Sequence, residues 1–154
     1  MKSDKDSTRN NRSLDSKDLF KDLKSRLFYV KCNIPGFSAP LVLREIRMGD
    51  QELLENTICN FGRNSLDYEL DYYLREVKPY LRTFLDLTKK EINELESIGW
   101  KVDKSRNNEL LALTGDLESA KNLIDYLTDH MIDFRHLIDR GLAERAPKGM
   151  YKFD

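Results

Sequence analysis

The chain has 154 residues, a formal net charge of −1 and 34% charged residues. This length is enough for one domain with its own core, and the near-zero net charge excludes strong overall attraction to nucleic acid or to an anionic membrane. No apolar run approaches the roughly 18 residues that a membrane span needs, and the polar first residues do not resemble a secretory signal, so we expect no membrane association and a cytoplasmic location.

The N-terminal residues divide into two segments. Residues 1–13 contain one apolar residue, which predicts a disordered polar arm. Apolar residues then recur at helical spacing from Leu19 to Leu27 and indicate a short amphipathic helix over about 17–26. Residues 14–154 are predicted to form a single α+β domain.

Two strands are predicted next. Apolar and polar residues alternate over 27–33 and again over 40–47, which is typical of half-buried strands. The loop 34–40 between them contains Pro, Gly and the aromatic residue Phe37. A loop that carries a large apolar side chain is a candidate for function, so Phe37 is a candidate contact residue.

Two apolar patterns in the middle of the chain favour helices. Apolar residues of 51–61 fall on one helical face, and Gly62 follows in the position that commonly ends a helix. Over 66–87 the apolar residues alternate steps of four and three, which is an a/d heptad pattern. This pattern predicts a long helix that is kinked or split near Pro79.

The next segment has clearer local signals. The capping-box sequence Thr88-Lys-Lys-Glu91 predicts a helix over 89–98. Alternating residues on either side of an Asn-Asn turn predict a hairpin with strands at 100–103 and 109–113.

A second heptad pattern predicts the last long helix, over 117–140. The predicted fold class is therefore α+β and mostly helical: long heptad-patterned helices pack antiparallel on a small antiparallel sheet, behind a flexible N-terminal arm. The C-terminal segment 142–153 reads as a ribbon that can join the same sheet.

The C-terminal residues resemble the end of the recognition helix and the wing of winged helix-turn-helix regulators. The residues that carry this resemblance are Leu137, Gly141, Leu142, Glu144, Arg145, Gly149 and Tyr151. It implies phosphate contacts from five basic side chains: Arg135, Arg140, Arg145, Lys148 and Lys152. The family needs a turn before its recognition helix, and Thr128-Asp129 offers the single place for one in the heptad pattern.

A second resemblance covers residues 32–58, which look like the start of tail-assembly and baseplate-hub assembly proteins of long-tailed bacteriophages. The matching residues are Ile34, Pro35, Gly36, Val42, Leu43, Arg44, Asp50, Glu52 and Leu53. The resemblance implies a small, phage-encoded, non-catalytic protein that binds or assembles other virion components, in the host cytoplasm or in the virion.

The residues with reactive side chains form no known catalytic motif. The chain contains no P-loop, GxGxxG, GxSxG or HExxH pattern. His130 and His136 are six residues apart, so on a helix they do not face one another and are poorly placed to bind the same metal ion. We therefore predict a protein that is not an enzyme, with no cofactor and no metal. Cys32 and Cys59 are the only cysteines, and we predict that they are partly buried thiols in a reducing compartment. A disulfide between them is the alternative.

These observations rank three classes of function. The first is a non-catalytic protein-interaction or assembly factor that binds a protein partner or forms a homo-oligomer. Tyrosine is amphipathic and favoured at interfaces, so the partner-binding candidates are Tyr68, Tyr72, Tyr80 and Phe37. The alternative is a winged-helix-like DNA-binding regulator that uses the C-terminal helix and ribbon. The third is an enzyme of unknown chemistry.

Overall fold

The computed structural model describes the backbone of residues 4–48, 54–63 and 66–153, and the side chains of residues 14–48, 54, 56–62 and 70–153. This part of the chain contains three α-helices and eight β-strands. The helices are α1 (Asp4–Ser25), α2 (Lys89–Ser97) and α3 (Leu117–Asp129). The strands are β1 (Lys31–Asn33), β2 (Leu41–Arg47), β3 (Ile58–Arg63), β4 (Leu66–Tyr73), β5 (Lys78–Leu81), β6 (Trp100–Asp103), β7 (Glu109–Ala112) and β8 (Glu144–Arg145). The fold is α+β, and the prediction of a mostly helical protein with long heptad helices is wrong.

The chain forms two compact units. One contains Met1–Tyr80 and Arg135–Glu144, and the other contains Leu81–Phe134 and Arg145–Asp154. The single domain over residues 14–154 stays a prediction. The arm predicted over 1–13 also remains a prediction; α1 begins within it.

Six strands form one sheet in the order β4-β3-β2-β1-β5-β8. The pairs from β4 to β5 are antiparallel. Strand β2 lies where the sequence predicted it, while β1 begins only at Lys31 because a turn follows α1. Alternate residues of β2 and β3 are fully buried, namely Leu43, Cys59 and Phe61. The C-terminal segment reaches this sheet through β8.

The helix predicted over 51–61 is wrong. Residues 51–53 lie outside the described residues, Leu54–Asn56 form one 3-10 turn, and the chain then continues as β3. Gly62 is a strand residue that pairs with Val42 and does not end a helix. Arg44, at a register shift of β2, crosses β3 at this point, and a Cβ on Gly62 would overlap its guanidinium group.

The long helix predicted over 66–87 is also wrong, and no heptad seam exists there. The segment forms β4, a 3-10 turn at Leu74–Glu76, β5 and a second 3-10 turn at Phe84–Asp86. Within β4 every second residue is Leu or Tyr and every residue between is acidic. This period of two is the strand pattern, and cross-strand pairing such as Leu70 opposite Phe61 decides between it and the heptad.

The hairpin and the capped helix of the second unit are confirmed. Thr88 caps α2: its hydroxyl accepts from the Glu91 N–H, and its own N–H donates to the Glu91 carboxylate. Strands β6 and β7 pair as predicted, but they form a separate two-stranded sheet and do not join the larger one. Leu95, Leu127 and Ile132 are among the residues that form the hydrophobic core of this unit.

Helix α3 ends at Asp129, eleven residues before the predicted end at 140, so the prediction is wrong in its second half. The termination is a Schellman motif: Met131 N–H donates to the Thr128 carbonyl, and Ile132 N–H donates to the Leu127 carbonyl. Met131 adopts φ of 58°, a conformation that usually requires glycine. Because Leu127 and Ile132 are both buried in the core, their packing supports this strained end.

Candidate functional site

Among the described residues of the first unit, the most exposed aromatic side chains are consecutive in sequence, in the turn between α1 and β1. Phe28 is 61% exposed and Tyr29 is 74% exposed. Phe28 also has φ of 73°, which costs a residue with a Cβ about 1–2 kcal/mol. We call residues Arg26–Val30 the aromatic turn. Strain and exposed aromatic surface in the same residue are typical of functional positions.

Backbone hydrogen bonds hold the aromatic turn rigidly. Phe28 N–H donates to the Leu43 carbonyl at 3.0 Å, and Leu43 N–H donates to the Val30 carbonyl at 3.3 Å. The N–H groups of Tyr29 and Val30 both donate to the Arg26 carbonyl. The two rings therefore stand on a turn that is fastened to strand β2, and little further ordering is needed when a ligand binds.

A buried ion pair joins the end of α1 to the first residue of the turn. The Arg26 guanidinium donates to both carboxylate oxygens of Asp22, and both side chains are fully buried. Arg135 donates to the same carboxylate at 2.8 Å. Since a buried charge without a partner is costly, this three-residue cluster fixes the end of α1 and the start of the turn.

The stretch of sequence around the turn is basic. No Asp or Glu occurs between Asp22 and Glu45, whereas Lys24 and Arg44 are exposed in this stretch. The Lys24 ammonium lies 5.9 Å from the Phe20 ring on the last turns of α1. The two exposed rings therefore belong to a chain segment that carries positive and no negative charge.

Of the four predicted partner-binding residues, the three with described side chains are half-buried: Phe37, Tyr72 and Tyr80. Phe37 and Tyr72 do come together, with ring centroids 6.3 Å apart in an edge-to-face arrangement, and Tyr72 also contacts Phe61 in the same way. Both rings are half-buried, so the loop 34–40 packs on the sheet. Tyr80 is half-buried in β5, and burial raises its pKa. The side chain of Tyr68 lies outside the described residues.

Three of the five predicted nucleic-acid contacts are paired with carboxylates. Arg135 binds Asp22; Arg140 binds Asp15 and Asp18 of α1. Those hydrogen bonds raise the pKa of Arg140. In the second unit Arg145 binds Asp86.

Lys148 and Lys152 are exposed, and neither is ion-paired within the described part of the chain. The predicted recognition helix is absent too, because the described residues 130–153 contain no helix. Thr128-Asp129 does mark the end of α3, but no second helix follows that break.

The second unit contains a buried polar network around Arg82 and Glu91. Arg82 donates to both Glu91 oxygens, at 2.8 and 2.6 Å, and to the backbone carbonyls of Asp86 and His130. Burial alone would raise the pKa of Glu91, but the hydrogen bonds from Arg82, His130 and Thr88 outweigh it and hold that pKa well below its usual range. The carboxylate is therefore ionised at neutral pH.

Aromatic rings complete this network. His130 Nδ1 lies 2.7 Å from Glu91 Oε2, and the imidazole is stacked between Tyr126 at 3.9 Å and Phe153 at 4.6 Å. Phe153 also lies 4.9 Å from the Arg82 guanidinium, within cation–π range. A His beside a carboxylate can serve in acid–base chemistry. Here the ring faces are covered and Glu91 is saturated by three donors, which is typical of a structural network.

Metal binding and cysteine chemistry are the two other possibilities that the reactive side chains raise. No group of three or more His, Cys, Asp or Glu side chains among the described residues is arranged to hold a metal ion. Cys32 and Cys59 are free buried thiols, with no disulfide between them. Burial raises the pKa of Cys59 to about 12, and burial and the nearby Cys59 and Asp22 raise that of Cys32.

No helix in the described ranges is long and apolar enough to span a bilayer. Comparison with known proteins gives no match to any family model, curated protein or solved structure.

The aromatic turn differs from the structure that the sequence pattern predicts. That pattern places Phe28 and Tyr29 in a strand over 27–33, where one of them would face the core. Four consecutive apolar residues, Leu27 to Val30, were the available signal, because a half-buried strand can bury only every second one. The Arg82–Glu91 network had no comparable signal.

Proposed function

We propose that the protein is a non-catalytic interaction or assembly factor that binds an acidic surface of another protein through the aromatic turn. The observation that carries this proposal is Phe28: a strained, 61% exposed aromatic residue beside a second exposed ring, on a rigidly held turn. Aromatic side chains dominate the binding energy of protein interfaces when they enter a pocket of the partner.

The charge around the turn supports an acidic partner. Lys24 and Arg44 are exposed on either side of the turn in sequence, and the stretch between Asp22 and Glu45 has no acidic residue. Complementary charge raises the rate of association and favours the correct partner over others. The phage origin of the protein and its part in virion assembly stay predictions of the sequence resemblance.

Photocrosslinking in cells that express the protein should identify the partner. A photoreactive phenylalanine analogue at position 29 should give one discrete adduct with a different polypeptide. The same analogue at Tyr73, which is also exposed but lies on β4, should not give that adduct. An adduct with nucleic acid alone, or with a second copy of this chain alone, would overturn the assignment to a different, acidic protein.

Binding measurements with the purified partner complete the test. Phe28→Ala and Tyr29→Ala should each weaken binding by roughly 30-fold, which corresponds to about 2 kcal/mol. Lys24→Glu should weaken it mainly through a slower association rate. Leu111→Ala, at an exposed position of the second unit, is the matched control and should leave affinity unchanged. Equal affinities for all four variants would rule out the aromatic turn as the binding site.

A further inference from the structure

The second unit has a groove of about 980 Å³ that the proposed function does not use. Its walls come from residues 82–88, which precede α2, and from the C-terminal segment 145–153. We call it the C-terminal groove. Its volume lies at the upper end of the range found for small-molecule sites, so it can hold a ligand of substantial size.

The groove carries more positive than negative charge. Of its lining residues, Arg145 is balanced by Asp86, and Arg82 is balanced by the buried Glu91. Lys148 and Lys152 also line it, and neither has an ion-pair partner within the ranges that the structure describes. Among the described lining residues these two ammonium groups leave a surplus of positive charge, which favours an anionic ligand.

Apolar and aromatic side chains lie beside those charges. Leu85 is 58% exposed and lines the groove together with Tyr151 and Phe153. The Tyr151 and Phe153 rings are 6.3 Å apart. Phe153 contacts the Arg82 guanidinium and the His130 ring, so this part of the lining packs on the buried polar network of the unit.

A ligand that matches this surface has negative charge at one end and a flat apolar ring at the other. We propose that the C-terminal groove binds the phosphate–base unit of a nucleotide, with Lys148 and Lys152 on the phosphate and Tyr151 and Leu85 against the base. Stacking on aromatic rings tolerates every base, and lysines contact phosphate without reading sequence. Two sources share this chemistry: a free nucleotide and a single-stranded nucleic acid.

Fluorescence anisotropy with the full-length protein tests the groove. The probes are a labelled dT12 oligonucleotide and an abasic chain of equal length, and unlabelled AMP serves as competitor. Two phosphate contacts on a single strand predict that affinity falls about sevenfold between 50 and 200 mM salt. Displacement of dT12 by millimolar AMP identifies a free nucleotide as the ligand, and resistance to AMP identifies a single strand.

Two double variants distinguish binding in the groove from nonspecific attraction to the charge of the protein. Lys148→Gln with Lys152→Gln should weaken dT12 binding at least tenfold. Lys101→Gln with Lys104→Gln removes the same charge from exposed positions of the β6–β7 hairpin and should change it less than twofold. Tyr151→Leu should weaken dT12 at least fivefold and leave the abasic chain unaffected, since only a base can stack.

Three results would overturn the proposal. These are no binding of dT12 or AMP at 50 mM salt, equal loss in the two lysine pairs, and tighter binding of an acidic peptide such as poly-glutamate than of dT12. None of them bears on the aromatic turn, because the groove lies in the second unit and its variants leave Phe28 and Tyr29 in place.

Discussion

Arg82 donates two hydrogen bonds to the carboxylate of Glu91, at 2.8 and 2.6 Å, and the carboxylate is fully buried. The two residues are nine positions apart, one before α2 and one in its first turn. Their pairing connects the capping box of α2 to the His130 ring stack. The stability of the second unit therefore depends on the charge state of one glutamate.

Glu91→Gln should lower the free energy of unfolding by about 3–5 kcal/mol, because it leaves the Arg82 guanidinium buried without a counter-charge. Urea denaturation followed by circular dichroism measures the change. Glu96→Gln is the control, since Glu96 is exposed on the same helix and should change stability by less than about 0.5 kcal/mol. Equal midpoints for the two variants would mean that the ion pair contributes nothing.

The same pair predicts a dependence of stability on pH. The pKa of Glu91 is lowered in the folded protein, so its contribution is complete above the unfolded-state pKa of roughly 4.3 and is lost as pH falls towards the folded-state value. The difference in unfolding free energy between wild type and Glu91→Gln should therefore be constant from pH 7 to about pH 5 and shrink below that. A difference that stays constant down to pH 2 would show that the carboxylate pKa is not lowered.

Asp22→Asn should cost about 3–5 kcal/mol of stability in the first unit, because Arg26 is fully buried and loses its carboxylate. Asp18→Asn is the matched control. Its carboxylate is 36% exposed and binds Arg140, so its loss should cost less than about 1 kcal/mol. Thermal unfolding of the two variants side by side gives the comparison. A similar loss in both would show that burial of the Asp22–Arg26 pair is unimportant.

The sequence correctly predicted the elements whose hydrogen bonds join residues close together in the chain. The capping box at Thr88 and Glu91 and the β6–β7 hairpin depend on residues a few positions apart, and both are confirmed. Strand β4 was missed because three of its residues, Leu66, Leu70 and Tyr73, also satisfy a heptad. Only pairing with β3 distinguishes the two periods.

Features that depend on distant packing could not be found in this way. Helix α3 stops where Met131 takes a left-handed conformation, and burial of Ile132 rather than a glycine makes that possible. Phe28 is exposed in a turn where its N–H donates to the Leu43 carbonyl of β2, fifteen residues further along the chain. Arg82 and Glu91 meet through the fold of the second unit. In each case the deciding contact has no counterpart in composition or periodicity.

Cys32 and Cys59 should be unreactive in the folded protein. Both are completely buried, and their raised pKa values keep the thiols protonated at pH 8. Titration with a chromogenic disulfide reagent should detect no thiol within minutes in buffer and both thiols in guanidinium chloride. Ser38→Cys places a thiol at an exposed loop position and should add one fast-reacting group. Rapid reaction of a native thiol would contradict the burial of that strand.

Phe28→Asn should raise the free energy of unfolding by about 1 kcal/mol. Asparagine tolerates positive φ far better than phenylalanine does, and the 61% exposed ring gives up little burial when it is removed. Tyr29→Asn is the control, because Tyr29 is 74% exposed but is not in the left-handed region, so it should give no gain. The same Phe28 variant should lose binding to the partner of the aromatic turn. Such an exchange of stability for binding is expected where a residue is kept for function. Denaturant midpoints of the two variants decide the matter: a loss of more than about 1 kcal/mol in Phe28→Asn would show instead that the ring packs against its own unit.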